Sequence, residues 1–407
     1  MELREYQIKI ANQAAEKVNE YGFCYIAAEV RTGKTLMALK TAELLGCKKI
    51  LFLTKKKAIK SIETDYANFG FKYNLSVVNW ENLHNVNDKF DLIICDEAHT
   101  MGGYPKISKR VNQLRIKYYN VPKILLSGTP HPESYSQIFH QFYVCPGNPF
   151  MGMNFYQWAK IYVNVQSVNY GYGSVNNYKS CYKDKLLPVI DKYFIRWSQK
   201  ESGFESKIEE DILYVMMDDQ TYDIANELTR NNVVELLDGD ILADTGVKLM
   251  GKLHQIYSGT VLTEQGEGII LDTSKADFIK QYFKGKKIGI FYKFRTEYDM
   301  IKKVFGDMIT DDLNEFDTTD KCIALQMVSG REGISLRNAE YLVFLNIDFS
   351  AVTYFQARDR MTTKERRFNK IFWIFAKDGI EGKIYNAVSN KKNYTTSLFK
   401  KQYVVSL

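Results

Sequence analysis

A chain of 407 residues is too long for one typical core and suits two domains or more. Apolar residues make up 45%, ample for burial, and no apolar stretch approaches the roughly 18–20 residues that cross a bilayer, so no membrane partner is expected. Net charge is +7 and unevenly placed: residues 360–407 hold eleven Lys and Arg against three Asp and Glu, a pattern that fits either a segment lying on a phosphate backbone or a solvated charged helix.

No apolar run follows the charged start Met1-Glu2-Leu3-Arg4-Glu5-Tyr6, so no secretory signal is expected. Cys24, Cys47, Cys95, Cys145, Cys181 and Cys322 are scattered without a CxxC pair. A zinc site or disulfide framework is therefore not expected, and a reducing cytoplasm follows. Short apolar runs come next in order: Tyr25-Ile26-Ala27-Ala28, Ile50-Leu51-Phe52-Leu53, Leu92-Ile93-Ile94-Cys95 and Ile124-Leu125-Leu126. Between them lie amphipathic stretches at 36–45 and 59–69. Strand–helix alternation with apolar strands predicts a parallel sheet covered on both faces. The pattern returns at Ile288-Gly289-Ile290-Phe291, Cys322-Ile323-Ala324-Leu325, Leu342-Val343-Phe344-Leu345 and Ile371-Phe372-Trp373-Ile374-Phe375. The stretch between opens with Pro146-Gly147-Asn148-Pro149 and is mostly helical in pattern. Its segment 167–185, with Tyr170, Tyr172, Tyr178 and Tyr182, is polar and reads as an exposed loop or arm. The expected organisation is an α/β domain over 1–145, a mostly helical insertion and linker over 146–265, and a second α/β domain over 266–407.

Two motifs carry chemistry. Ala28-Glu29-Val30-Arg31-Thr32-Gly33-Lys34-Thr35 follows the phosphate loop GxxxxGK[ST] with Ala28 at the first glycine and with Glu29-Val30-Arg31-Thr32 in place of the more usual Gly-rich block. A strand ends at Ala28 and a helix begins near Lys34, as such a loop requires. Backbone N–H groups at the helix start can cradle phosphates; Lys34 reaches the β- and γ-phosphates, and Thr35 takes Mg²⁺. The second motif is Asp96-Glu97-Ala98-His99, a DEAH box, at a strand's carboxyl end, where ligands of open α/β sheets gather. Asp96 is placed for Mg²⁺ and Glu97 to orient and deprotonate the attacking water. An isolated pair of this kind is usually a helix cap with a solvated partner. Beside the phosphate loop it makes the second half of a nucleotide-hydrolysing site.

The order of further motifs resembles superfamily 2 helicases, and within them the Swi/Snf-type DNA translocases, over nearly the whole chain. Leu3-Arg4-Glu5-Tyr6-Gln7 is similar to the family's start motif, whose Gln reads adenine. Leu53-Thr54-Lys55-Lys56-Lys57 and Asn79-Trp80-Glu81-Asn82-Leu83 stand where motifs Ia and Ib are expected. Ser127-Gly128-Thr129-Pro130 resembles motif III, and Phe194-Ile195-Arg196-Trp197-Ser198-Gln199-Lys200 the arginine-containing segment before the interdomain linker. Ile290-Phe291-Tyr292-Lys293-Phe294, the run from Val328 through Ser329-Gly330-Arg331-Glu332-Gly333 to Leu336, and Gln356-Ala357-Arg358-Asp359-Arg360 resemble motifs IV, V and VI.

The resemblance implies two RecA-like parallel-sheet domains with ATP and Mg²⁺ between them, and nucleic acid, duplex DNA foremost, crossing both. Arg4, Gln7, Glu29, Arg31, Thr32, Gly33, Lys34, Thr35, Asp96, His99 and Gly333 are then the nucleotide contacts. Glu97, Lys34, Gln356 and Arg360 carry catalysis. Lys55, Lys57, Thr129, Lys293, Ser329 and Gly330 are the nucleic-acid contacts, and Thr35 and Asp96 hold the metal. A monomer is the family default, and the compact layout resembles helicase-like proteins of phages and mobile elements. Motif VI departs from the family: Arg360 fills the first arginine place and Thr363 the second. Arg360 then acts alone, or Arg358, Lys364 or Arg366 helps. Thr363 also keeps open an ATP-gated DNA clamp with little hydrolysis; an RNA helicase is the other alternative. The helical insertion after motif III favours tracking on duplex DNA over strand separation. His84, His131, His140 and His254 show no ligand spacing, and Trp80, Trp158, Trp197 and Trp373 read as core.

Overall fold

The computed structural model describes residues 2–169, 174–203, 207–236, 239–327, 336–358 and 368–390. The chain divides into two compact units, Met1–Phe204 and Glu205–Leu407, with the boundary inside the stretch 146–265.

The first unit contains α1 (Glu5–Tyr21), β1 (Phe23–Ala28), α2 (Lys34–Leu44), β2 (Lys49–Thr54), α3 (Ile59–Asn68), β3 (Asn74–Asn79), β4 (Leu92–Cys95), α4 (Lys109–Tyr118) and β5 (Lys123–Leu126). It continues with α5 (Ile138–Tyr143), α6 (Phe155–Tyr162), β6 (Gln166–Asn169), β7 (Ser174–Asn177), α7 (Lys183–Ile190) and β8 (Phe194–Trp197). Six strands form one sheet in the order β3-β2-β4-β5-β1-β8, every pair parallel. Successive residues of β1, β2, β4 and β5 enter opposite cores. Tyr25, Leu51, Leu53, Ile93, Cys95 and Leu125 pack on one face, and Ile26, Ile50, Phe52, Ile94 and Ile124 on the other. That is why β1, β2, β4 and β5 read as apolar runs: both faces of these central strands are covered, so few positions are left for water.

The second unit contains β9 (Lys207–Val215), α8 (Asp219–Asn231), β10 (Val233–Leu236), β11 (Gly239–Leu242), α9 (Gly246–Ile256), β12 (Thr260–Leu262), β13 (Gly268–Ile270), α10 (Ser274–Tyr282), β14 (Ile288–Tyr292), α11 (Arg295–Phe305), β15 (Ile309–Thr310) and α12 (Leu313–Thr318). Then come β16 (Cys322–Gln326), β17 (Tyr341–Phe344), α13 (Ala351–Arg358), β18 (Phe368–Ala376) and α14 (Glu381–Ser389). Its sheet is again six-stranded and parallel, in the order β15-β16-β14-β17-β18-β9. Phe291, Leu325, Phe344 and Trp373 pack on one face; Ile290, Ala324, Val343 and Phe372 pack on the other. Both α/β units expected from the apolar runs are present.

Residues 146–265 carry helices α6 to α9 and also strands β6 to β12, which the pattern did not announce. The described part of 167–185 is a hairpin of β6 and β7 followed by the start of α7. Tyr178 is packed against the first unit's core, so that part of the segment is not a free arm; Tyr170 and Tyr172 lie outside the described residues. All six cysteines are free thiols. Among the described residues no helix is long and apolar enough to cross a membrane.

His254 on α9 is fully buried, with ring centroids 5.5 Å from Phe294 and 4.7 Å from Phe349. Burial, reinforced by the charges of Lys293 and Lys275, drives its pKa well below the ordinary value. A histidine with a depressed folded pKa binds more protons when unfolded. Its contribution therefore falls away as pH drops below about 6.5, by about 1.4 kcal/mol per pH unit. Thermal unfolding at pH 7.5 and pH 5.5 should show a smaller acid loss for His254→Phe than for the parent chain. Equal losses in the two proteins would remove His254 from the acid response.

Candidate active site

Four neighbouring strands of the first unit, β2, β4, β5 and β1, run parallel, so their carboxyl ends meet at one edge of the sheet. Each end delivers one part of the site: Thr54 from β2, Asp96 and Glu97 after β4, Ser127-Gly128-Thr129 after β5, and the loop 29–33 after β1.

The loop enters α2 through Gly33, at φ 84°, where a side chain would be strained and a Cβ would stand 2.2 Å from Gln7 Nε2. Lys34 turns its ammonium back into the loop and donates to the Ala28 carbonyl at 2.8 Å and the Glu29 carbonyl at 3.1 Å. Burial lowers its pKa, while Glu97, Asp96 and Glu29 work in the opposite direction. Thr32 is fully buried, and its hydroxyl donates to the Glu29 carbonyl at 2.8 Å, so it shapes the loop. The Gln7 side chain accepts from the Arg4 amide at 3.0 Å and donates to the Thr32 carbonyl at 3.4 Å. Arg4 Nη1 donates to the Tyr6 hydroxyl at 3.3 Å. Thr35 lies in the first turn of α2 and is half-buried. Gly128 presses on the loop: a Cβ there would lie 3.5 Å from the Ala28 carbonyl and 3.8 Å from Lys34 Nζ.

Asp96 accepts from the Thr54 hydroxyl at 2.8 Å, and Trp80 Nε1 donates to its carbonyl at 3.4 Å. Burial and then the charge of Glu97 push its pKa up, with Thr54 and Lys34 opposing. Glu97 has φ 47° and opens the 3₁₀ turn Ala98–Met101. Burial by itself would raise its pKa; the adjoining His99, with Lys34 and Lys55, outweighs it and holds the carboxylate ionised. His99 Nδ1 stands 3.1 Å from Glu97 Oε2 and 3.0 Å from Ser127 Oγ. One proton on that nitrogen serves one partner at a time. Ser127 Oγ also accepts from the Thr129 amide at 3.0 Å, so the β5 end is tied to the DEAH turn through a single side chain.

Of the expected nucleic-acid contacts, Lys57 is exposed in a 3₁₀ turn after β2, and Lys55 lies just before that turn. Lys293, after β14, is not a free cation. It pairs with Asp348 at 3.4 Å and lies 4.1 Å from the ring centre of Phe349. Arg358 pairs with Glu210 at 2.9 Å. Gln356 is on α13. Ser329, Gly330, Gly333, Arg360, Thr363, Lys364 and Arg366 lie outside the described residues. Trp80, Trp158 and Trp373 are buried, while Trp197 is half-buried and stacks on Tyr6 at 5.6 Å. Sequence reasoning placed Thr54, Ser127 and Gly128 inside motifs without giving them roles. Only the parallel order of strands far apart in sequence could have singled these positions out.

No family model matches the chain, and no curated protein matches it. Among solved structures it is similar to a Sulfolobus solfataricus SWI2/SNF2 ATPase core in complex with dsDNA, at 17% identity and TM-score 0.45, covering 100% of this chain and 93% of that one. It is also similar to the Sulfolobus solfataricus SWI2/SNF2 ATPase core domain, at 17% identity and TM-score 0.44, covering 99% of this chain and 90% of that one. At that distance the assignment of chemistry rests on the residues themselves.

Asp96 has a folded pKa above its unfolded one, so its charge costs stability once pH rises past about 4. Asp96→Asn should therefore raise Tm at pH 7.5 by at least about 2 °C, the order of 1 kcal/mol in a domain of this size. It should also lose any nucleotide hydrolysis. A lower Tm in calorimetry would mean that the Thr54 hydrogen bond outweighs the crowding of the two carboxylates.

Proposed function

We propose that the protein hydrolyses ATP and uses the cycle to track on nucleic acid, duplex DNA foremost. The observation that carries this reading is the convergence of Lys34, Asp96, Glu97 and the Ser127–His99 contact at the carboxyl ends of adjacent parallel strands. Lys34 would exchange two carbonyl partners for β- and γ-phosphate oxygens. The loop amides and the start of α2 would cradle the phosphates. Glu29, Arg31, Thr32 and Gly33 shape that cradle, with Arg4 and Gln7 at the base. Glu97, ionised by His99, would orient water and accept its proton. His99 would report the presence of the γ-phosphate to motif III by choosing between Glu97 and Ser127.

The residues fit Mg²⁺. Thr35 and Asp96 offer hard oxygen donors, and the buried Asp96 carboxyl, raised beside Glu97, is a site short of positive charge. Held there, the ion supplies neutralisation of phosphoryl charge. By resemblance, Arg360, with Gln356 and Gly333, acts on the γ-phosphoryl, and Lys55, Lys57, Thr129, Lys293, Ser329 and Gly330 meet the nucleic-acid backbone. The insertion between β5 and β8, made of α5 to α7 and the β6–β7 hairpin, supports the duplex-tracking reading by the same resemblance.

ATP turnover measured alone and with duplex DNA, single-stranded DNA or duplex RNA should be raised most by duplex DNA. Displacement of a triplex strand should then report translocation. Lys34→Ala should lose ATP binding. Glu97→Gln should bind ATP and hydrolyse it at least about 10²-fold more slowly. Arg360→Ala should keep ATP binding and lose the stimulated rate, on the about 10³–10⁵ scale of an arginine finger. Tight ATP-dependent DNA binding without turnover would favour the clamp.

The basic end can be tested by truncation. α14 buries Ile384 and Val388, so the chain should be shortened only after Asn390. This removes Lys391, Lys392, Lys400 and Lys401, and it should flatten the salt dependence of DNA binding by about one unit of slope or more. An unchanged slope would make that segment a solvated surface.

A further inference from the structure

The stretch 28–33 has one glycine where the usual form has two, yet it holds Arg31 at φ 64° and Gly33 at φ 84°. Its carbonyls explain how. The Thr32 carbonyl accepts from the Tyr6 hydroxyl at 2.9 Å. The Val30 carbonyl accepts from Gln199 Nε2 at 2.9 Å. Gln199 also gives its backbone N–H to the Glu29 carboxylate at 2.7 Å. In a trans peptide the carbonyl of one residue and the N–H of the next point in opposite directions. A donor outside the loop that holds the Val30 carbonyl therefore aims the Arg31 N–H the other way. The bond to Thr32 does the same for Gly33. Outward carbonyls fixed from behind are what an inward nest of amides requires.

Gln199 is itself held. The Glu29 amide donates to the Trp197 carbonyl at 2.9 Å, extending the β1–β8 pairing by one step. Trp197 stacks on Tyr6 with planes 9° apart, and its Nε1 donates to Ser202 Oγ at 2.9 Å. Glu201 accepts from the Ser198 amide at 2.7 Å and hydroxyl at 2.6 Å, and the Ser202 amide bonds the Ser198 and Gln199 carbonyls. The result is a closed strap, residues 197–203, lying along the loop.

We propose that Gln199 is a positioning residue of the nucleotide site: it orients the Val30–Arg31 peptide so that the Arg31 amide joins the phosphate cradle, and it makes the strap 197–203 part of that site. This rests on the ATP-binding reading above. Titration of a fluorescent ADP against the full chain tests it, with Tm followed in parallel. Gln199→Met, similar in size but without a donor, should bind about tenfold more weakly at unchanged Tm. Gln199→Glu, which sets a carboxylate against a carbonyl and Glu29, should bind more weakly still. Gln199→Lys, which restores a donor and complements Glu29, should recover most of the affinity. A role in folding alone would move Tm and affinity together and would not separate Lys from Glu. ADP binding by Gln199→Met within twofold of the parent, while Lys34→Ala loses binding, overturns the proposal and leaves the ATP reading intact. No binding by the parent chain overturns both.

Discussion

One ammonium group holds the site together. Lys34 is placed near Asp96, Glu97 and Glu29, and it is the charge that lets three carboxylates share one edge of a sheet. Its bonds to the Ala28 and Glu29 carbonyls satisfy it. They also fold the loop onto itself. A triphosphate would replace neutral carbonyls with charged oxygens, so binding would strengthen the same charge balance rather than build a new one. The close fit of Gly128 against the loop matters for this reason: a side chain there would fill the space beside the ammonium.

The departure at Ala28 has a simple origin. Ala28 is still in β1 and pairs with Trp197, so its backbone is extended and no glycine is required. The left-handed turn comes later, at Arg31 and Gly33. The chain thus reaches a phosphate-loop shape by a different distribution of strain, held by donors from α1 and from the segment after β8. None of those donors could be read from the loop's own letters.

Apolar runs made most of the two sheets legible, because strands covered on both faces leave few polar positions. The edges were harder. In β3, Asn74 is exposed and the next four residues are only partly buried, and the strand lacks an apolar run. β9 carries Glu209-Glu210-Asp211 and reads as surface, yet it pairs with β18 along its length. Glu210 is tolerated beside the core because Trp373 Nε1 at 2.9 Å, the Tyr354 hydroxyl at 2.8 Å and Arg358 at 2.9 Å all satisfy it. These partners lie more than 140 residues away in sequence. The same holds for the cations. Charge and position marked Lys293 and Arg358 as candidates, but only the fold reveals that each already has a carboxylate. Motifs locate a site well where the chemistry is local, as in 28–35 and 96–99. They locate it poorly where distant strands supply the partners.

The distribution of backbone strain separates function from packing. Among the described residues, four other than glycine have positive φ: Arg31, Glu97, Asn232 and Asp378. Asn232 closes α8, and Asp378 follows β18; both are of the residue types that visit this region at ordinary turns. Arg31 and Glu97 are not, and they stand in the phosphate loop and at the head of the DEAH turn. A left-handed Glu97 places a carboxylate beside a second one at a strand end, which no stability argument favours. The conformation persists because His99, Lys34 and Lys55 hold the charge and Ser127 holds His99. Strain kept at two positions by surrounding bonds, both at the same sheet edge, is what a site built to meet a charged ligand should display. Neither packing nor turn geometry asks for it.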